Sequence, residues 1–179
     1  WRSASVAETH AVGVGLAGEL QPRGCLLLYG ALGAGKTVLA QGVAEGLGID
    51  PREVQSPTCA LLREHELPGG EGARLAHLDL YRLSPGEAAA CGFEEVLLGP
   101  GVKIVEWAER LPFVVPGALA LTLREAARRA VRVVAGRAGR AVAEIRLGPV
   151  GKVARGTCRA GRTITEVALR AVRVVAGRA

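Results

Sequence analysis

Residues 30–37 read Gly-Ala-Leu-Gly-Ala-Gly-Lys-Thr and satisfy every fixed position of the phosphate-binding pattern G-x-x-x-x-G-K-[ST], at Gly30, Gly35, Lys36 and Thr37. A loop of small residues lets backbone N–H groups curl around a polyphosphate. Lys36 adds a point charge for the β- and γ-phosphates, and Thr37 offers a hydroxyl to Mg²⁺. The expected cradle for a nucleotide is Gly30, Leu32, Gly33, Ala34, Gly35, Lys36, Thr37 and Val38. The alternative for such a stretch is a flexible glycine turn. Its flanks argue against that: Cys25–Tyr29 is a short apolar run of buried-strand type, and Leu39, Val43 and Leu47 recur at helical spacing.

Magnesium held beside such a loop wants a carboxylate, usually at the end of a neighbouring strand. Two acids qualify. Asp79 ends the run Leu75-Ala76-His77-Leu78, and Glu106 ends Val102-Lys103-Ile104-Val105. Ligand sites of open α/β sheets lie at the carboxyl ends of strands, where both acids fall. Each is a candidate to hold the metal or to orient water, and spacing does not assign the two roles. Ser56-Pro57-Thr58 follows the loop helix. A hydroxyl there can sense the γ-phosphate, although the residues alone read better as a plain Ser-Pro turn. His77 inside its strand reads as a partnered core histidine. Arg82 is the one candidate for a guanidinium near phosphate, and Trp107 for stacking on a ligand or packing in the core.

The elements that position these residues are legible in outline. Ser5-Val6-Ala7-Glu8 fits a capping box opening a helix through Leu20, weakened by Gly13, Gly15 and Gly18. A strand from Cys59 to Glu64 and another from Leu75 to Leu80 flank the turn Pro68–Gly72 and predict a hairpin. Ser84-Pro85-Gly86-Glu87 opens a further helix with Pro at its first position. Val102–Glu106 is a strand, and Ala118–Leu123 with Ala130–Val134 form a last pair. The expected fold is α/β and P-loop NTPase-like, with a mostly parallel central sheet, helices on both faces and a C-terminal antiparallel hairpin.

The chain of 179 residues carries a net charge of +6, unevenly spread. Residues 1–123 hold 9 basic and 14 acidic side chains, whereas residues 124–179 hold 14 basic and 3 acidic. Residues 129–138 and 170–179 are the same ten letters, RAVRVVAGRA. The domain expectation is therefore a nucleotide-binding unit over 1–138 and a basic extension over 139–179 with a partial duplication of 122–138. No apolar run is long enough to cross a bilayer. The four cysteines form no C-x-x-C pair, which argues against a zinc site and for free thiols in a reducing cytoplasm.

Gly33–Thr37, then Ser56-Pro57-Thr58, then His77-Leu78-Asp79-Leu80-Tyr81-Arg82-Leu83, then Val105-Glu106-Trp107, in this order and spacing, resemble the TsaE (YjeE) family. The resemblance covers about residues 5–136; Cys59 stands where that family commonly has an aromatic, and 139–179 has no counterpart. It implies a small ATPase that binds ATP and Mg²⁺ and is weakly active alone. It also implies work with a TsaD–TsaB pair that installs threonylcarbamoyl on adenosine 37 of tRNA. By the resemblance, Lys36 and Thr37 bind phosphate and metal, and Thr58 is a switch threonine. Asp79 and Glu106 serve the magnesium site and water activation, and Trp107 lies by the nucleotide. tRNA would be met through the partners, and no membrane is expected to be involved.

Two rival readings remain at this level. Small-molecule kinases also begin strand–loop–helix, but they need an Arg-rich lid, and residues 84–98 are short and acid-leaning. The basic residues of 139–179 could contact RNA phosphates directly, a reading disfavoured because no aromatics are interleaved for base stacking.

Overall fold

The computed structural model describes residues 2–55, 61–68, 72–126 and 130–137, with backbone only at Arg2 and from Glu125 onward. The expected turn at Ser56–Thr58 and the extension over 139–179 lie outside the described residues.

Cys25–Tyr29 forms β2 of a seven-stranded sheet. The other strands are β1 (Arg2–Ser3), β3 (Leu62–Glu66), β4 (Arg74–Asp79), β5 (Val102–Glu106), β6 (Leu119–Ala126) and β7 (Ala130–Arg137). Their spatial order is β1-β7-β6-β2-β5-β4-β3. The central pairs β6–β2, β2–β5 and β5–β4 are parallel; β3, β7 and β1 join antiparallel at the two flanks. A strand buried on both faces needs apolar residues at every position, which is why β2 reads as a continuous run rather than an alternation. Leu26 and Leu28 face one core, with Leu75, Val102, Ile104 and Leu121; Cys25 and Leu27 face the other, with Ala76, Leu78 and Val105.

Two helices cover the first face: α1 (Val6–Leu20) and α2 (Lys36–Gly46). Two short ones, α3 (Pro85–Ala90) and α4 (Phe93–Leu98), follow β4, and Phe93 and Leu97 of α4 fill the second face. The cap of α1 is as expected on one side: the Ser5 hydroxyl accepts from the Glu8 amide at 3.1 Å. The Glu8 carboxylate reaches the Ala4 amide at 2.7 Å, one residue before the cap. At α3 both halves of the capping box form, Ser84 with Glu87.

The glycines that weaken α1 as an isolated helix are what lets it dock. A methyl added at Gly42 would run into the His10 carbonyl, and one at Gly13 into the Leu39 carbonyl. The two backbones touch with no side chain between them. Gly42→Ala should therefore destabilise by roughly 1–3 kcal/mol, seen as a fall of about 2–12 °C in melting temperature. An unchanged melting curve would show that the crossing can open freely.

Several elements differ from expectation. β3 covers Leu62–Glu66, running past the expected end at Glu64, and the expected start at Cys59 lies outside the described residues. β7 continues to Arg137, three residues beyond Val134. α4 and the two-residue β1 had no sequence reading at all. Cys25 behaves as a core residue: burial pushes its thiol up to about 12, with nearby Lys103 opposing. Among the described residues no helix is long and apolar enough to cross a membrane.

Candidate functional site

The loop between β2 and α2 is built from backbone that only glycine supplies cheaply. Gly30 has φ 135° and faces the Leu123 carbonyl of β6, leaving no room for a side chain. Gly35 has φ 93° and caps α2 with no side-chain hydrogen bond. The opening amides of α2 thus have no side-chain cap, at the end where the helix dipole favours an anion. Helix α2 begins at Lys36, inside the motif, so Lys36, Thr37 and Val38 form its first turn. Leu32 lies exposed at the loop tip with Gly33, and Ala34 is buried beneath it.

Lys36 is only 4% exposed. Its Nζ donates to the carbonyls of Gly30 at 2.6 Å and Ala31 at 2.9 Å. The same ammonium sits 3.8 Å from the centre of the Trp107 ring. Burial lowers its pKa below the usual lysine value, while Glu106, Glu109 and Asp79 pull it back up. The site is thus a cation pre-set in a partly dry position with three acids near it.

Side-chain alternation brings Asp79 and Glu106 to one face. Val102 and Ile104 of β5, and Leu75 of β4, point toward α1 and α2, and the same parity carries Glu106, His77 and Asp79. Glu106 closes the arrangement. Its Oε2 accepts from the Thr37 hydroxyl at 2.9 Å, and its Oε1 lies 3.0 Å from His77 Nε2. Asp79 stands opposite Glu106 in the β4–β5 ladder, and its Oδ1 accepts from the Tyr81 amide at 3.0 Å. Both acids are buried.

Just past Glu106 the chain is held in a costly shape. Trp107 has φ 59°, the only non-glycine residue with positive φ among those described. Its ring meets Tyr81 with centroids 4.7 Å apart at 41°. Leu80 donates its amide to the Glu106 carbonyl at 3.1 Å, and Arg110 Nη1 donates to the Leu83 carbonyl at 2.9 Å. These contacts tie the segment after β4 to the segment after β5.

The structure therefore brings together Gly30, Lys36, Thr37, Asp79, Glu106 and Trp107. Arg82 is exposed. Thr58 lies outside the described residues. Sequence reasoning treated His77 as an ordinary core histidine and did not see its contact with Glu106. Strand parity places His77, Asp79 and Glu106 on the α2 face with core residues, but the contact itself needs the β4–β5 register.

The donor set suits a hard cation. Thr37, Glu106 and Asp79 offer only oxygen, the preference of Mg²⁺ rather than zinc. No group of three or more His, Cys, Asp or Glu able to hold a metal occurs among the described residues.

A glycine-rich turn between a central parallel strand and a helix, with acids at the ends of the adjacent β5 and of β4 beyond it, defines an α/β protein of P-loop NTPase-like fold. Comparison with known proteins names the group within that class. The sequence model described as "Threonylcarbamoyl adenosine biosynthesis protein TsaE" matches residues 3–133, and the chain belongs to the TsaE family. A curated relative from Bacillus subtilis, named tRNA threonylcarbamoyladenosine biosynthesis protein TsaE, is 41% identical over 119 residues, covering 63% of this chain and 70% of the relative. The Nostoc relative of the same name is 41% identical over 107 residues, covering 57% of this chain and 63% of its own. That from Treponema pallidum is 36% identical over 115 residues, covering 64% and 82%. The crystal structure of Bacillus subtilis YdiB superposes with a TM-score of 0.59 at 31% identity, covering 78% of this chain and 84% of that one.

Proposed function

We propose that this chain binds ATP with Mg²⁺ on the Gly30–Thr37 loop and hydrolyses it slowly, in support of threonylcarbamoylation of adenosine 37 in tRNA by a TsaD–TsaB pair. TsaE proteins are proteins of threonylcarbamoyladenosine biosynthesis, and this chain is one of them. The observation that carries the nucleotide reading is the Glu106 carboxylate, bonded to the loop's own Thr37 across the β5–α2 gap.

The roles follow from position. The amides of the loop and the first turn of α2 bind the phosphates, and Lys36 adds its charge to the β- and γ-oxygens. Thr37 and one of the two acids would hold Mg²⁺, which when bound supplies charge neutralisation between the phosphates. The other acid orients the attacking water. Trp107, over Lys36, shields the phosphate end from solvent. A hydroxyl at Thr58 senses the γ-phosphate in this reading. The site lies in the cytoplasm in this reading.

Slow turnover alone is expected because Arg82, the candidate guanidinium, is solvent-exposed. A kinase reading is weaker, since residues 83–102 contain no Lys or Arg to form a lid. ATP hydrolysis should rise at least about tenfold when the TsaD–TsaB pair is added to the chain, a partner-completed site being able to gain far more. Phosphate release at equal rates with and without the pair would count against the switching role.

A further inference from the structure

We infer that His77 is a positioning residue for Glu106, acting through its Nε2–H on Oε1, so that Oε2 is presented to Thr37 and to the reaction. This rests on the nucleotide reading above and assigns a task to a residue that reading does not use.

His77 is fully buried in the middle of β4. Around it the strand is Leu75, Ala76 and Leu78, and its ladder partner in β5 is Ile104. An imidazole in such a place has two polar atoms to satisfy. One of them, Nδ1, meets no partner among the described residues. A leucine would fill the position without that orphan, so packing does not explain the histidine. The one polar contact it gains is the 3.0 Å contact between Nε2 and Glu106 Oε1. A carboxylate oxygen only accepts, which puts the ring proton on Nε2.

The geometry makes this contact directional. Glu106 follows Ile104 by two residues on the same face, so His77 reaches it diagonally across the parallel β4–β5 pair. With Thr37 on Oε2, the carboxylate is gripped at both oxygens by two different elements, β4 and α2. A glutamate at a strand end otherwise has three rotatable bonds and several rotamers within reach. Outer-shell partners of this kind commonly change affinity or activity about 10–100-fold when removed.

The test compares His77→Leu, which keeps bulk without a donor, with His77→Gln, whose amide nitrogen reaches about as far as Nε2. For the leucine variant kcat for ATP hydrolysis should fall about 10–100-fold, with KM for ATP changed less than threefold. The glutamine variant should recover most of the loss. In the double variant His77→Leu with Glu106→Gln, the fall should be no greater than for Glu106→Gln alone, because His77 acts only through that carboxylate. Losses that simply add, or a glutamine variant as poor as the leucine one, would overturn the inference. Melting curves of the nucleotide-free variants report folding. Should His77→Leu melt far below the parent, the activity of the Gln variant and the ring tautomer of the parent still decide.

A readout independent of activity is the ring tautomer. Long-range ¹H–¹⁵N spectra of the nucleotide-free parent should show the His77 proton on Nε2, with a changed Nε2 shift in Glu106→Gln. A proton on Nδ1 would overturn the assignment. A parent chain that binds no ATP but carries the Nε2 proton would sink the nucleotide reading and leave the His77–Glu106 contact standing.

Discussion

Lys36→Met loses ATP affinity by about 30- to 150-fold and yields a nucleotide-free protein that melts no lower than the parent. The two halves of this result have one cause. Charge-assisted hydrogen bonds to phosphate contribute about 2–3 kcal/mol, which is roughly 30- to 150-fold in affinity. Methionine keeps the apolar stem and removes the ammonium, with its contact to the Trp107 ring. Without a ligand that ammonium is a liability, since burial lowers its pKa despite Glu106, Glu109 and Asp79 nearby. The folded protein then binds this proton more weakly than the unfolded chain. Stability at neutral pH is reduced accordingly, and the deficit is relieved as pH rises from the lowered folded value toward the ordinary 10.5. The freed carbonyls of Gly30 and Ala31 stand where water can reach them, since neither residue is buried. Calorimetric titration with ATP and a thermal melt of the apo protein measure both halves. A variant that melts well below the parent would mean that Lys36 serves the fold.

Glu106→Gln should bind ATP nearly as the parent does and hydrolyse it about 100- to 1,000-fold more slowly. The amide is isosteric, so the contacts to Thr37 and His77 can be kept in altered donor–acceptor sense, while the charge is lost. Losses of this order are usual for a positioned base or for charge aimed at a transition state. Asp79→Asn is the informative companion, because the two acids are ladder partners and both face α2. The variant whose loss is restored by high Mg²⁺ marks the metal-holding acid. The variant whose loss persists at saturating Mg²⁺ marks the acid that handles water. Single-turnover hydrolysis over a Mg²⁺ series separates the two. Full activity in both variants would remove the acids from the mechanism.

Much of this site could be read from residue order, because its parts are local. The strand Cys25–Tyr29, the loop and α2 are contiguous, so the apolar run and the helical spacing on either side decide how the glycines between them are read. β5 ends at Glu106 as its apolar run ends. Ser84-Pro85-Gly86-Glu87 carries its helix start in four letters. The misses are non-local or short. β1 exists only because Arg2 and Ser3 find Arg132 and Val131, far along the chain. α4 spans six residues, too few for a period of 3.6 to declare itself. The His77–Glu106 contact depends on the β4–β5 register across 29 positions, which no local pattern encodes. The left-handed turn at Trp107 is likewise imposed by its neighbours, since tryptophan has no preference for it.

The bare-backbone crossing of α1 and α2 has a mechanical consequence. Two rods separated by hydrogens alone cannot change spacing independently, so a push on the front of α2 is shared with α1. That neighbour is itself moored, through Thr9 and Ser3 at 2.7 Å, to the β1 margin of the sheet. The phosphate end of the molecule is braced on that flank like a beam on a wall.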